Sequence, residues 1–189
     1  MFSVGVKLGK GGSWWIAIGF FLLTAAPGMW YPALPNILKA QGIEWVLPYA
    51  FAVGPLASLF SPLIFGSMAD YRFSAQKLVG TLSLLGAGFL GMAFYSLYMG
   101  WGAWWYLGFQ VLNALLGAPM WSLVSTVTLA NVDNAQKKFP LFRVWGSVGW
   151  VIAGLLVSWM GWDSSPLAGI AAAGIRVIFG LSCYMMPDT

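Results

Sequence analysis

Histidine is absent from this chain, and with it go the commonest metal ligand and the side chain most often used as a general base. We therefore expect no metal site, no catalytic residue and no enzyme activity. Cysteine occurs once, as Cys183, so no internal disulfide can form; it sits in an apolar stretch and reads as packing material. Charge is scarcer still. Only 7% of the 189 residues are charged, where a soluble domain carries about a quarter. Too little polar surface exists to coat a water-soluble globule. The net charge of +4 comes from nine scattered basic residues without a cluster or a basic helix face, which excludes a nucleic-acid partner.

What is present is apolar: 60% of the residues are hydrophobic and the mean hydropathy is +0.80. This is the composition of an integral, multi-pass membrane protein whose main partner is the lipid bilayer. A hydrocarbon core of about 30 Å needs about 20 apolar residues per helix. On that measure six transmembrane helices are expected, at Trp14–Leu34, Ile43–Met68, Leu78–Met99, Trp104–Ala130, Phe142–Met160 and Leu167–Met186. The opening VGVKLGKGG with its apolar run resembles a signal peptide, but that run continues past Pro27 and five spans follow, so it is read as helix 1.

Basic residues set the orientation. Lys7, Lys10, Arg72, Lys77, Lys137, Lys138 and Arg143 fall on one side of these spans and Lys39 on the other, so both termini are expected in the cytoplasm. Trp14 and Trp15 mark the inner edge, and Trp45, Trp101, Trp104, Trp159 and Trp162 the opposite one, while Trp121 and Trp150 lie deeper. Pro27, Pro32 and Pro35 fall in helix 1, Pro48, Pro55 and Pro62 in helix 2, and Pro119 in helix 4. Gly54 with Ser58, or Gly146 with Gly149 and Ala153, offer small surfaces on which helices can approach closely.

Two stretches carry possible chemistry. In GSMADYRFSAQKLVG, residues 66–80, small Gly66 admits a neighbouring helix and Asp70 can accept hydrogen bonds from a helix N-terminus or an arginine, with Arg72 close by. In FPLFRVWGSVGW, residues 139–150, Arg143, Ser147 and Trp150 stand at i, i+4 and i+7 on one helix face. That face offers fixed guanidinium donors, a hydroxyl and a flat indole, the mixture that a sugar ring or a nucleoside requires. The competing reading lets Arg143 snorkel to the headgroups while Trp150 packs.

The 66–80 stretch resembles the signature loop of the major facilitator superfamily, G-x-x-x-D-R/K-x-G-R/K. It departs from that pattern in Tyr71, Phe73 and the displaced Arg72. RVWGSVGW (143–150) is similar at every position to R-x-W/F/L-G-S/T-I/V-G-W/F, the run opening helix 5 in the nucleoside:proton symporter branch. PGMWYPALPNIL (27–38) and AAAGIRVIFGLSCYMMPDT (171–189) resemble its first and sixth helices. The resemblance implies an all-α fold: the N-terminal six-helix half, residues 1–189, of a twelve-helix transporter with a 3+3 inverted repeat. The C-terminal half would be the missing partner.

The resemblance also implies a proton-coupled nucleoside transporter working by alternating access, with no cofactor beyond the proton gradient, in a bacterial inner membrane. Arg143, Ser147 and Trp150 would contact substrate, together with Gln110 and Asn113 from helix 4. Gly66, Asp70 and Arg72 would form the conformational loop. Helix 4 lacks the acid that pairs with the equivalent arginine in the lactose permease branch, which favours a nucleoside over a sugar. The alternatives are a sugar or oligosaccharide:proton symporter half, and a truncated membrane scaffold that transports nothing. Arg176, near the middle of helix 6, has no counterpart in the resembled branch and stands outside this expected site.

Overall fold

The computed structural model describes the backbone at 10–71 and 74–187 and the side chains at 14–61, 64 and 74–187. Among the described residues the regular structure is helical. In chain order α1 is Lys10–Trp30, α2 Leu34–Ala40, α3 Leu47–Tyr71, α4 Ala75–Tyr98, α5 Ala103–Gly117, α6 Met120–Asn131, α7 Ala135–Trp159 and α8 Leu167–Cys183, with a 3-10 turn at Glu44–Val46. Four stretches are long and apolar enough to cross a membrane: Trp14–Ala40, Ala75–Tyr98, Ala103–Asn131 and Ala135–Trp159. α3 has 25 residues, and α8 is shorter at 17.

Three boundaries differ from the hydropathy reading, each for a local reason. The first span does not run unbroken to Leu34. It stops at Trp30, where Tyr31 N still donates to Pro27 O at 2.8 Å, and resumes as α2 after a turn holding Pro32. Proline has no N–H to continue the ladder, whereas Pro35 in the first turn of α2 costs nothing. The fourth span is interrupted in the same way at Ala118 and Pro119, between α5 and α6. The fifth helix begins at Ala135 rather than Phe142, so Lys137, Lys138 and Arg143 ride on helix instead of lying in a loop. Hydropathy marks where lipid begins, not where helix begins, and lysine and arginine are good helix formers.

Close backbone approach determines which helices pair. α1 lies against α7, and a Cβ on Gly28 would stand 3.0 Å from the Trp150 Cα and 3.2 Å from the Ala153 Cβ. Gly149 abuts the Phe21 carbonyl, and the Thr24 hydroxyl crosses the same seam to donate to the Gly146 carbonyl. α4 lies against α8 through Gly80 and Gly180, each of whose added Cβ would reach the other's carbonyl oxygen at 3.0–3.1 Å. The Gly146, Gly149 and Ala153 stripe thus packs as read, whereas Gly54 faces open space and Ser58 only donates back to its carbonyl at 3.0 Å. Thr24→Val, which keeps the shape and removes the hydroxyl, is expected to cost about 0.6 kcal/mol and no more than about 1.7. The readout is a small fall in Tm of the detergent-purified protein.

The buried apolar residues form two groups. One, around Trp30, Leu34, Phe94 and Tyr106, joins α1, α2, α4, α5, α7 and α8 towards the α2 end. The other, around Phe20, Leu82, Val124 and Phe179, joins α1, α4, α6 and α8 towards the opposite end and includes Cys183. Between them the interior turns polar, with Ser83, Gln110, Asn113 and Arg176 all buried. α7 turns Leu141, Val144, Val151 and Leu155 outward, an apolar face suited to lipid rather than water.

Candidate substrate cleft

The polar layer opens into a cleft. A cavity of about 380 Å³ is walled by α1, α4, α5, α6, α7 and α8, with Trp30, Trp121, Trp150, Asn113, Met120 and Arg176 on its lining. A neighbouring cavity of about 280 Å³ shares Pro27, Trp30, Asn113 and Gly117 with it and adds Gln110 and Tyr31. Pro27, inside α1, and Ala118, at the break between α5 and α6, both lie on this cleft.

The residues expected at the site fall into two groups. Gln110 and Asn113, three apart on α5, are brought together: Asn113 Nδ2 donates to Gln110 Oε1 at 2.9 Å, and Gln110 Nε2 reaches the Tyr106 hydroxyl at 3.5 Å. Trp150 lines the larger cavity and lies 6.4 Å, ring to ring, from Tyr31. Arg143 and Ser147 are exposed on the same helix and lie outside the lining of both cavities. Arg143 connects to the cleft indirectly, its guanidinium 5.5 Å from the centroid of Trp121, whose ring borders the cavity. At that range a guanidinium over an indole is a cation–π contact worth about 0.5–1 kcal/mol. The Trp121 ring is itself set edge-on against Phe20 at 5.7 Å. The side chains of Gly66 and Asp70, and all of Arg72, lie outside the described residues.

Arg176, which sequence reasoning left out, is part of the wall. It projects from the middle of α8 into a notch made by two glycines: an added Cβ on Gly86 would strike the guanidinium, and one on Gly117 would lie 3.4 Å from Nη2. Nη1 donates to Asn113 Oδ1, Nη2 lies 3.8 Å from the Met120 sulfur, and Nε has no acceptor among the described residues. No described carboxylate pairs with it. The signal was available, since a charge in mid-span faces the bundle interior by default. Its relation to Asn113, 63 residues away in the chain, was not.

Close glycine seams and proline breaks bordering an interior cleft are features found in the helix bundles of membrane transporters. A model of the MFS_1 like family, within the major facilitator superfamily, matches residues 13–186. The chain belongs to that family. This major facilitator chain is 29% identical over 170 residues to the putative nucleoside transporter YegT of Escherichia coli K12, covering 86% of this chain and 39% of that one. It is 26% identical to the nucleoside permease NupG of the same organism, over 93% of this chain and 40% of the permease. It is 29% identical to the maltose permease of Geobacillus stearothermophilus over 75% of this chain and 35% of that protein. The solved structure of NupG shares the fold, with a TM-score of 0.81 at 22% identity over 93% of this chain and 44% of the other. The major facilitator chain thus spans about two fifths of the length of the curated relatives it matches, and it is an integral membrane protein.

Proposed function

We propose that this chain supplies one six-span half of a nucleoside transporter that works by alternating access and is driven by the proton gradient. The observation that carries this reading is the interior cleft, where Trp30, Trp121 and Trp150 line one cavity with Asn113, and Gln110 lines the adjoining one with Trp30 and Asn113. A nucleobase is a flat ring edged with hydrogen-bonding groups, so aromatic faces and amides together match its chemistry. The names of YegT and NupG support the same substrate class. The described acids, Glu44, Asp133 and Asp163, are all at turns or helix starts, so the proton-carrying carboxylate is assigned to the facing half. The termini are placed in the cytoplasm and the protein in a bacterial inner membrane. Asp70 and Arg72 would serve the moving loop, and Arg143 and Ser147 would reach substrate once the second half closes the cleft.

Uptake of labelled uridine into vesicles bearing the full-length protein tests this reading. Trp150→Ala is expected to raise the half-saturating concentration about tenfold, since base-on-aromatic stacking is worth roughly 1–3 kcal/mol. Trp159→Ala, at the far rim and 83% exposed, is expected to leave it unchanged. Equal half-saturation in the two variants would remove Trp150 from the site. The likeness to maltose permease supports a second reading, a sugar symporter, and uptake of labelled maltose in place of uridine would establish it.

A further inference from the structure

Arg176 is 8% exposed, carries five N–H donors and no acceptor, and meets no carboxylate among the described residues. A guanidinium can only donate, so the amide beside it has one orientation. Asn113 must turn Oδ1 toward Nη1, which aims its Nδ2 away, at Gln110 Oε1. Gln110 in turn points Nε2 at the Tyr106 hydroxyl. The relay runs one way, from Arg176 through Asn113 and Gln110 to Tyr106, and the arginine sets its direction. Each amide oxygen is engaged inside the relay, while Asn113 and Gln110 each keep a second amide hydrogen, and both line the cleft. The unpartnered Nε leaves this wall with a surplus of donors over acceptors. A second positive charge, Arg143, lies 5.5 Å from the Trp121 ring that borders the cavity.

We propose that Arg176 makes this cleft selective for solutes that present carbonyl oxygens, so that among nucleosides it takes keto bases in preference to their amino counterparts. Uridine and cytidine differ in this respect at ring position 4, and inosine and adenosine at position 6. A keto oxygen there accepts from the Asn113 or Gln110 amide, whereas an amino group sets donor against donor and leaves both unpaired. Arg176 acts through Asn113, so it is a positioning residue. The inference rests on the nucleoside reading above and deepens it.

The test is competition for uridine uptake in vesicles bearing the full-length protein, using the pairs uridine/cytidine and inosine/adenosine. The keto member of each pair is expected to compete about tenfold better, the worth of one well-placed hydrogen bond against an unsatisfied one. In Arg176→Met the amides are free to reverse, and the preference should fall to within about twofold, the arginine-dependent part of that hydrogen-bond difference being lost. Asn113→Asp keeps a partner for Arg176 but replaces the donor with an acceptor, and is expected to shift the preference toward cytidine and adenosine. Equal competition within both pairs in the unmodified protein overturns the inference while leaving nucleoside transport standing. So does an undiminished keto preference in Arg176→Met together with no shift in Asn113→Asp. Uptake of maltose with no uptake of any nucleoside overturns the nucleoside reading and this inference with it.

Discussion

Gly149→Val is expected to lower the stability of the purified protein by about 3 kcal/mol, in the upper range for overpacking, which is roughly 6–12 °C in Tm for a chain of this size. The cause is what a side chain would meet. At Gly149 an added Cβ runs into the Phe21 carbonyl oxygen and stands 3.0 Å from the carbonyl carbon and 3.1 Å from Thr24 Oγ1. These are backbone atoms and a hydroxyl already engaged across the seam, so nothing can swing aside and the whole of α7 must move off α1. Gly154, five residues on, has open space around its position, and Gly154→Val should change stability by no more than about 0.5 kcal/mol. Comparable Tm values for the two variants would mean that α1 and α7 do not pack on this stripe.

Asn113→Leu is expected to cost about 3 kcal/mol, near the upper end for a hydrogen bond to a charged group, because it removes the one oxygen among the described residues that accepts from Arg176. Among the described residues the guanidinium would keep only the weak Met120 sulfur at 3.8 Å, inside a notch lined by Gly86 and Gly117. Adding Arg176→Leu takes away the stranded charge, so the double variant should be more stable than Asn113→Leu alone. A double-mutant cycle on thermal denaturation measures the coupling directly. Additive losses at the two positions would show that the pair is not energetically linked. This cycle reads stability, whereas the keto preference is read by transport, so the two roles of the arginine are separable.

Much of the architecture was legible because membranes impose simple rules. Apolar runs of about span length become helices, and the Gly146, Gly149 and Ala153 spacing announces one face that packs closely. Breaks were harder to read. Pro27 lies inside α1, whereas Pro119 and the turn around Pro32 end helices, and the same residue type has both outcomes depending on which neighbours satisfy the freed carbonyls. Hydropathy places the start of the fifth span at Phe142, seven residues after α7 begins at Ala135, because the helix carrying Lys137 and Lys138 extends beyond the apolar run. In the cleft, Gln110 and Asn113 could be paired from their spacing of three. The partnership of Asn113 with Arg176 could not, since no local pattern links α5 to α8. Gly86, the residue that makes room for the guanidinium, looks in sequence like any other glycine of α4.

The shape of α8 bears on how the protein is made. Its 17 residues rise only about 26 Å, short of the roughly 30 Å hydrocarbon core, and a central arginine adds about 2.5–3.5 kcal/mol against entry. Alone, this segment is a poor candidate for release from the translocation machinery into lipid. α4 leaves the ribosome first, however, and carries both the Gly80 surface that receives Gly180 and the Gly86 notch that receives Arg176. Docked on α4, the guanidinium is buried in the bundle rather than turned to the acyl chains. Stable entry of α8 into lipid is thereby tied to the prior placement of α4, and the arginine is sheltered only by a helix made before its own.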